Sequence, residues 1–237
     1  MQNLSVFRYE RKYLINNLQV ENYRSRIESI CTLDLYAGER GKYSIRSLYF
    51  DDYNSSAFKS NANGTDVRDK WRLRIYNRDC SRIRLEHKIK INEKVHKDYA
   101  LVSRDFYESI IAGKQMEIQY PVQDKVVNQF LFDYFAKGLR PVVIVEYERE
   151  PYIFDAGDVR VTFDENIAYS GECARFLDSD LHLTPLTGIG KQLMEVKYTE
   201  FLPTIIHSAL NMGTMQQTTF SKFYLCAKNE KIRGVTE

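Results

Sequence analysis

The chain predicts an α+β protein, an antiparallel β-barrel with helices packed on its outside. Three observations point there. Residues 82–90 read Arg-Ile-Arg-Leu-Glu-His-Lys-Ile-Lys. Side chains of an extended strand alternate between faces, so Arg82, Arg84, Glu86, Lys88 and Lys90 share one face, and Ile83, Leu85, His87 and Ile89 the other. The same division into a charged and an apolar face returns on several further segments, with turn residues that pair neighbours as hairpins. Between them lie helical segments with wide apolar stripes, which need an apolar surface to dock on.

Taken in order, residues 5–15 form a first strand, with Val6, Arg8, Glu10 and Lys12 opposite Phe7, Tyr9, Arg11 and Tyr13. A helix follows from Leu18 to Cys31 with Asn17 as its N-cap. Residues 43–51 are a second strand, and Asp52 to Gly64 is a polar loop or short helix. Residues 68–77 are a third strand with Arg72, Arg74 and Tyr76 on one face. Asp79-Cys80-Ser81 turns it back into the 82–91 strand. Tyr99 to Val102 is a short strand, and Ser103 caps a helix to Ala112, ended by Gly113. A second helix runs from Val122 to Lys137 with Val126, Val127, Phe130, Leu131 and Tyr134 at helical spacing, ended by Gly138. Strands resume at Arg140–Arg149 and Val159–Asp164, joined by a turn at 155–158, and again at Leu193–Tyr198. Helices at Pro203–Leu210 and Phe220–Asn229 close the chain.

Length and composition fit one domain spanning 1–237: 237 residues, 43% hydrophobic and 28% charged, enough to bury a core without metal or disulfide staples. The 34 basic residues are balanced by 32 acidic ones, which argues against a generic nucleic-acid binder. Any basic site must therefore come from placement. Cys31, Cys80, Cys173 and Cys226 form no CxxC pair and read as reduced thiols. No apolar run reaches the roughly 18 residues of a membrane span, and the N-terminus lacks a signal-peptide core. The expected location is the cytoplasm, with room for docking at the inner face of a membrane through a membrane-protein partner. GxxxxGK[ST], GxGxxG and GxSxG are all absent, which disfavours a P-loop kinase, a Rossmann domain and a serine hydrolase.

The charged faces decide the function. They collect Glu10 and Lys12, Arg72 and Arg74, Arg82 to Lys90, Glu146 and Glu148, Arg160 and Asp164, and Glu195 and Lys197. The apolar stripes of the helices must cover the apolar strand faces, so the charged faces turn into the barrel. Arginine and lysine bind phosphate oxygens, and carboxylates in the same space suit a hard divalent cation bridging to phosphate. Alternation also sets Arg149 opposite in phase to Glu146, so a bulge or strand end is expected to re-aim one of them.

These residues resemble the VTC domain of polyphosphate polymerases, within the triphosphate tunnel metalloenzyme (CYTH-like) superfamily. The matching segments span the chain in order: Phe7-Arg-Tyr-Glu-Arg-Lys12, Ser47-Leu-Tyr-Phe-Asp51, Trp71-Arg-Leu-Arg-Ile-Tyr76, Glu86-His-Lys88, Glu146-Tyr-Glu-Arg149, Val159-Arg-Val-Thr-Phe-Asp164, Leu193-Met-Glu-Val-Lys197 and Phe220-Ser-Lys-Phe223. The resemblance implies Lys12, Arg72, Arg74, Lys88, Arg149, Arg160 and Lys222 as catalytic phosphate ligands. It implies Glu195 as the carboxylate for Mn²⁺ or Mg²⁺. Glu10, Arg84 and Lys197, on the charged faces, join Tyr147 and Ser221 as substrate-binding candidates. One departure is Thr219, where the fungal members carry a lysine.

The implied activity is metal-dependent transfer of the ATP γ-phosphate to a growing polyphosphate chain, with ATP and polyphosphate as partners and no nucleic acid. Two alternatives stay open: a triphosphatase of the same fold, with Glu10, Glu86, Glu146 or Glu148 as base, and a non-catalytic polyphosphate- or inositol-phosphate-binding module. Elsewhere, His87 reads as a packed histidine and Trp71 as a core residue. His96, His182 and His207 lack a partner at ligand spacing. Asp51 and Asp52 read as caps more than metal ligands. Lys59, Arg68 and Lys70 read as a solvated face or as guides at a tunnel mouth.

Overall fold

A sheet with one apolar and one charged face can satisfy both by closing, and this chain does so. The computed structural model describes residues 7–113, 124–186 and 191–236. The elements are β1 (Arg8–Asn16), α1 (Asn17–Glu28), β2 (Thr32–Leu33), β3 (Tyr43–Asp51), α2 (Ser56–Ala62), β4 (Val67–Tyr76), β5 (Ile83–Ile91), β6 (Lys94–Val102), α3 (Arg104–Ile111), α4 (Lys125–Lys137), β7 (Arg140–Phe154), β8 (Val159–Ser170), β9 (Thr184–Pro185), β10 (Lys191–Tyr198), α5 (Thr204–Ala209) and α6 (Lys222–Thr236). Strands pair in the order β7-β3-β4-β5-β6-β1-β10-β8, and β8 pairs back with β7 to close an eight-stranded antiparallel barrel. The short β2 and β9 add to β7 and β8. The fold class is the α+β barrel that the alternation predicts.

The apolar strand faces point outward under helices. Leu73, Ile75, Ile83 and Leu85 pack with Tyr107 and Ile110 of α3 and with Val127, Phe130 and Leu131 of α4. On the far side Val161, Phe163, Met194 and Val196 pack with Val20, Tyr23 and Ile27 of α1 and Ile206 of α5. Phe130 is fully buried, its ring 5.2 Å from that of Phe50 and 5.3 Å from that of Trp71. Phe130→Ala should lower the unfolding free energy by about 3–5 kcal/mol, from lost burial plus the cavity left behind; urea denaturation measures it.

A third cluster lies on the lining side. Phe220 and, from α6, Phe223, Cys226 and Ala227 pack on Ile45, Tyr49, Val145, Tyr147 and Leu193. These strand residues share the inward face with Ser47, Arg149 and Glu195 by register, so the C-terminal helix starts against the lining. Among the described residues, no helix is long and apolar enough to cross a membrane.

Several boundaries differ from the sequence reading. The cap of α1 is Asn16, whose side chain accepts from the Gln19 N–H while Gln19 answers its backbone. β6 starts at Lys94 and not at Tyr99; Lys97 and Tyr99 face the lumen opposite Lys88 and Glu86, which hides the apolar alternation. β7 continues through Pro151, whose carbonyl accepts from the Asp34 N–H at 3.0 Å. Val122 and Gln123, at the expected start of the second long helix, fall outside the described residues. Asp124 caps that helix, and Gly138, at φ 63°, ends it in the left-handed conformation.

Candidate active site in the barrel lumen

Strand register brings the charges of different strands face to face. Lys12 lies opposite Glu195, Glu10 opposite Lys197, Arg72 opposite Glu86, Lys70 opposite Lys88 and Arg149 opposite Asp164. Lys12, Lys70, Arg72, Arg74, Lys88, Arg149, Lys197 and Lys222 line one cavity together with Glu195, Tyr49, Tyr147, Ser221 and Phe223, enclosing about 550 Å³ that is partly open to solvent. A second cavity shares Lys12, Lys70, Lys88 and Ser221 with it and adds Glu10, Asn61, Arg68 and Lys90 at one mouth of the barrel.

Four inward-facing carboxylates are held by basic side chains of the lumen. Glu195 takes Lys222 at 3.1 Å and Lys12 at 3.4 Å on one oxygen, and Lys197 at 3.3 Å and Arg149 at 3.4 Å on the other. Asp164 receives the Arg149 fork at 2.6 and 2.7 Å and Lys222 at 2.5 Å. Glu10 meets Lys12 and Lys88, each at 3.1 Å, and Glu86 meets Arg72 at 2.7 Å and Lys97 at 3.1 Å. Burial alone would raise these carboxyls. The facing cations outweigh it and hold Glu10, Glu86 and Glu195 well below the usual range, and Asp164 below it.

The lysines divide by partner. Burial would lower Lys222, but Asp164 and Glu195 hold it above its ordinary value. Lys88 is pushed down to about 7 by burial, assisted by Lys12 and Lys197 against the pull of Glu10. Lys70 is driven well down by burial and by Lys88 and Lys12; its partners, Asn61 at 2.7 Å and Ser221 at 3.2 Å, are neutral. Basic side chains outnumber carboxylates here, an arrangement that suits an anionic occupant.

A family model for the VTC domain matches residues 7–229. The chain belongs to the VTC domain family. Among solved structures, the VTC chain is similar to an adenylyl-cyclase candidate from Hippeastrum with a dominant triphosphatase activity, at 11% identity and TM-score 0.55, covering 95% of this chain and 96% of that one. It is also similar to an adenylate-cyclase candidate from Bacillus halodurans, at 13% identity and TM-score 0.52, covering 92% and 95%. A third, from Vibrio parahaemolyticus, shows 11% identity and TM-score 0.51, covering 93% and 98%. At these identities the likeness is one of fold, the triphosphate-tunnel barrel. Nothing among the curated proteins matches the chain.

Of the candidates read from sequence, Lys12, Arg72, Arg74, Lys88, Tyr147, Arg149, Glu195, Lys197, Ser221 and Lys222 meet at the central cavity, and Glu10 lines the mouth beside it. Arg84 faces the lumen farther along, between the rings of Tyr76 and Tyr99. Arg160 departs from the expected cluster. It shares the inner face, in register with Lys197, but its guanidinium pairs with Asp34 outside the cavity. Glu146 and Glu148, counted with the charged lining, point outward: Glu146 pairs with buried Arg46 and with Arg78 at 2.8 Å, and Glu148 accepts from Asn166 at 2.6 Å. Arg149 needs no re-aiming, since strand parity already turns it inward. The bulge lies on β8, where one residue of β7 faces two. Lys70 is drawn into the site, in phase with Arg72 and Arg74 along β4, and Asn61 on α2 positions it.

The remaining readings resolve locally. Asp51 accepts from the N–H groups of Asp52, Ala57 and Phe58, and Asp52 from that of Ser56, which makes both caps of α2. His87 stacks on Trp71 with centroids 3.9 Å apart and pairs with Asp69 on the outer face. His96 finds Asp98 at 2.7 Å. Asp69, His87 and Asp133 bring ligand atoms within 4.8 Å of one another, so this outer cluster could also hold a metal ion, although Lys137, 3.0 Å from Asp133, already supplies it with positive charge.

Proposed function

We propose that the chain is a metal-dependent phosphotransferase that moves the ATP γ-phosphate onto a growing polyphosphate chain inside the barrel. The observation that carries this reading is the convergence of eight basic side chains and Glu195 on one lumenal cavity that opens through a lysine-rich mouth. An acceptor that is itself a phosphate needs no base, so catalysis reduces to alignment and charge neutralisation. Arg72, Arg74, Lys12, Lys88, Lys197 and Lys222 would hold donor and acceptor phosphates and stabilise the transferring group.

The residues fit a hard divalent cation. Glu195 lines the cavity with each carboxylate oxygen between two basic side chains, and Mg²⁺ or Mn²⁺ is commonly held by one or two carboxylates plus substrate phosphates. When bound, the ion would neutralise charge on the triphosphate. Arg149 and Lys222, tied to both Asp164 and Glu195, set the orientation of that carboxylate.

A second reading, triphosphate hydrolysis, draws on the fold shared with the Hippeastrum protein. It requires a carboxylate that accepts a proton from water. The four inward-facing carboxylates are weak proton acceptors at neutral pH, being held below their ordinary range by basic neighbours, which favours transfer to phosphate. Purified protein incubated with ATP and Mn²⁺ separates the two: long-chain polyphosphate is the expected product, and orthophosphate with no polymer would sink the polymerase reading. The membrane-protein partner stays part of the proposal as the receiver of the polymer.

The site also predicts a pH dependence. Lys88 loses its proton near pH 7 in the empty site, and a bound polyanion would restore it. Tripolyphosphate affinity should therefore be full below pH 7 and fall above it. The expected slope is up to about one order of magnitude per pH unit for each lysine that must take up a proton. Calorimetry of the wild type against Lys88→Met isolates the effect, because the variant should lose that part of the slope.

A further inference from the structure

The two ends of the barrel lining differ in chemistry. At one end, Lys90 and Lys88 on β5 and Arg68 and Lys70 on β4 form a cationic mouth whose aromatic residue, Phe220, is buried in packing. At the opposite end, Tyr43 opens β3, Tyr76 closes β4, Arg84 opens β5 and Tyr99 lies late on β6. Register places all four on the lumenal face: Tyr43 is in phase with Arg149, Tyr76 with Arg74, Arg84 opposite Arg74, and Tyr99 opposite Glu86. The Arg84 guanidinium lies 5.0 Å from the Tyr76 ring centre and 5.1 Å from that of Tyr99, and the Tyr43 and Tyr76 rings meet at 5.8 Å. Tyr99 is 50% exposed, so part of its ring is available to a ligand. The cluster adjoins the phosphate cavity directly, since Arg74, which lines that cavity, sits 5.9 Å from the Tyr76 ring centre.

We infer that this aromatic mouth, with the half-exposed ring of Tyr99 as its stacking surface and Arg84 set between the Tyr76 and Tyr99 rings, receives the base of a nucleoside triphosphate. The inference rests on the phosphotransferase reading above. A bare phosphate chain can use a tyrosine hydroxyl but gains nothing from the face of its ring, whereas a purine stacks on that face. The asymmetry then orders the lumen: nucleoside at the tyrosine end, triphosphate across Arg74 and Arg72, and the growing chain towards Lys70, Lys88 and Lys90.

The test compares ATP with inorganic tripolyphosphate by calorimetric titration in EDTA, which measures binding without turnover. Tyr99→Ala should weaken ATP about tenfold and leave tripolyphosphate unchanged, while Tyr99→Phe, which keeps the ring, should bind ATP like the wild type. Retained tripolyphosphate binding also reports an intact barrel. Equal losses for both ligands, or no loss for either, would overturn the inference, as would a wild type that binds tripolyphosphate but not ATP; each leaves the phosphate tunnel standing. A wild type that binds neither ligand would overturn the parent reading and this one with it.

Discussion

Glu195→Gln is expected to reduce turnover with ATP and Mn²⁺ by about 10³-fold or more while the barrel stays folded. A metal ligand that neutralises triphosphate charge contributes several kcal/mol to the transition state, and glutamine keeps the shape of the side chain but not its charge. The structure adds a second expectation of opposite sign. Glu195 faces Lys12, Lys197, Arg149 and Lys222 in the same cavity, where without metal its charge repels an incoming phosphate. Tripolyphosphate binding measured in EDTA should therefore tighten in Glu195→Gln as catalysis disappears. Loss of both activity and metal-free binding would instead mark Glu195 as a structural partner of the lysines. Unchanged activity would remove it from the metal role. Folding should survive because Asp164 still pairs with Arg149 and Lys222, although the variant should be less stable until an anion binds.

The lumen was legible where a strand obeys simple alternation. Arg72 and Arg74 on β4, and Glu86 and Lys88 on β5, can be placed inward from sequence because their neighbours Leu73, Ile75, Leu85 and Ile89 leave one consistent choice of face. Phase along a strand is a local property, and it survives into the fold. What the strands meet is not local. Glu146 and Glu148 have the composition of a lining, but parity with the inward Arg149 sends them out, where Arg46, Arg78 and Asn166 receive them. Arg160 has the right phase, yet Asp34, far away in sequence, diverts it. Lys70 has the phase of Arg72 but reads only as a solvated face or a guide at the tunnel mouth until α2 brings Asn61 over it. Lys222 and Ser221 lie at the start of a helix and carry no strand signal at all; only resemblance to a family pointed to them. The packing of α6 against the lining was likewise hidden, because Phe220, Phe223 and Cys226 read as an ordinary apolar stripe.

Arg74→Ala should weaken triphosphate binding by about 30- to 160-fold, the loss expected when a buried charge-assisted contact worth roughly 2–3 kcal/mol is removed. Commitment to existing partners is what singles out this arginine. The Arg149 fork is taken up by Asp164 at 2.6 and 2.7 Å. Arg72 gives two nitrogens to Glu86, at 2.8 and 2.7 Å, and a third to Tyr49 at 3.0 Å. Arg74 has neutral Ser47 at 3.0 Å and reaches Glu86 only at 3.7 Å. Its guanidinium therefore has donors to offer a phosphate without first abandoning a tight ion pair, and it lines the central cavity. The stability cost should be small beside the binding loss, because Glu86 keeps Arg72 and Lys97. Arg74→Lys should recover charge but not the planar fork, and so should bind triphosphate with intermediate affinity. Calorimetry with tripolyphosphate on the three proteins, alongside urea denaturation, reads both quantities. Wild-type affinity in Arg74→Ala would place Arg74 outside the phosphate path and shift the weight of binding onto Lys12, Lys88 and Lys197.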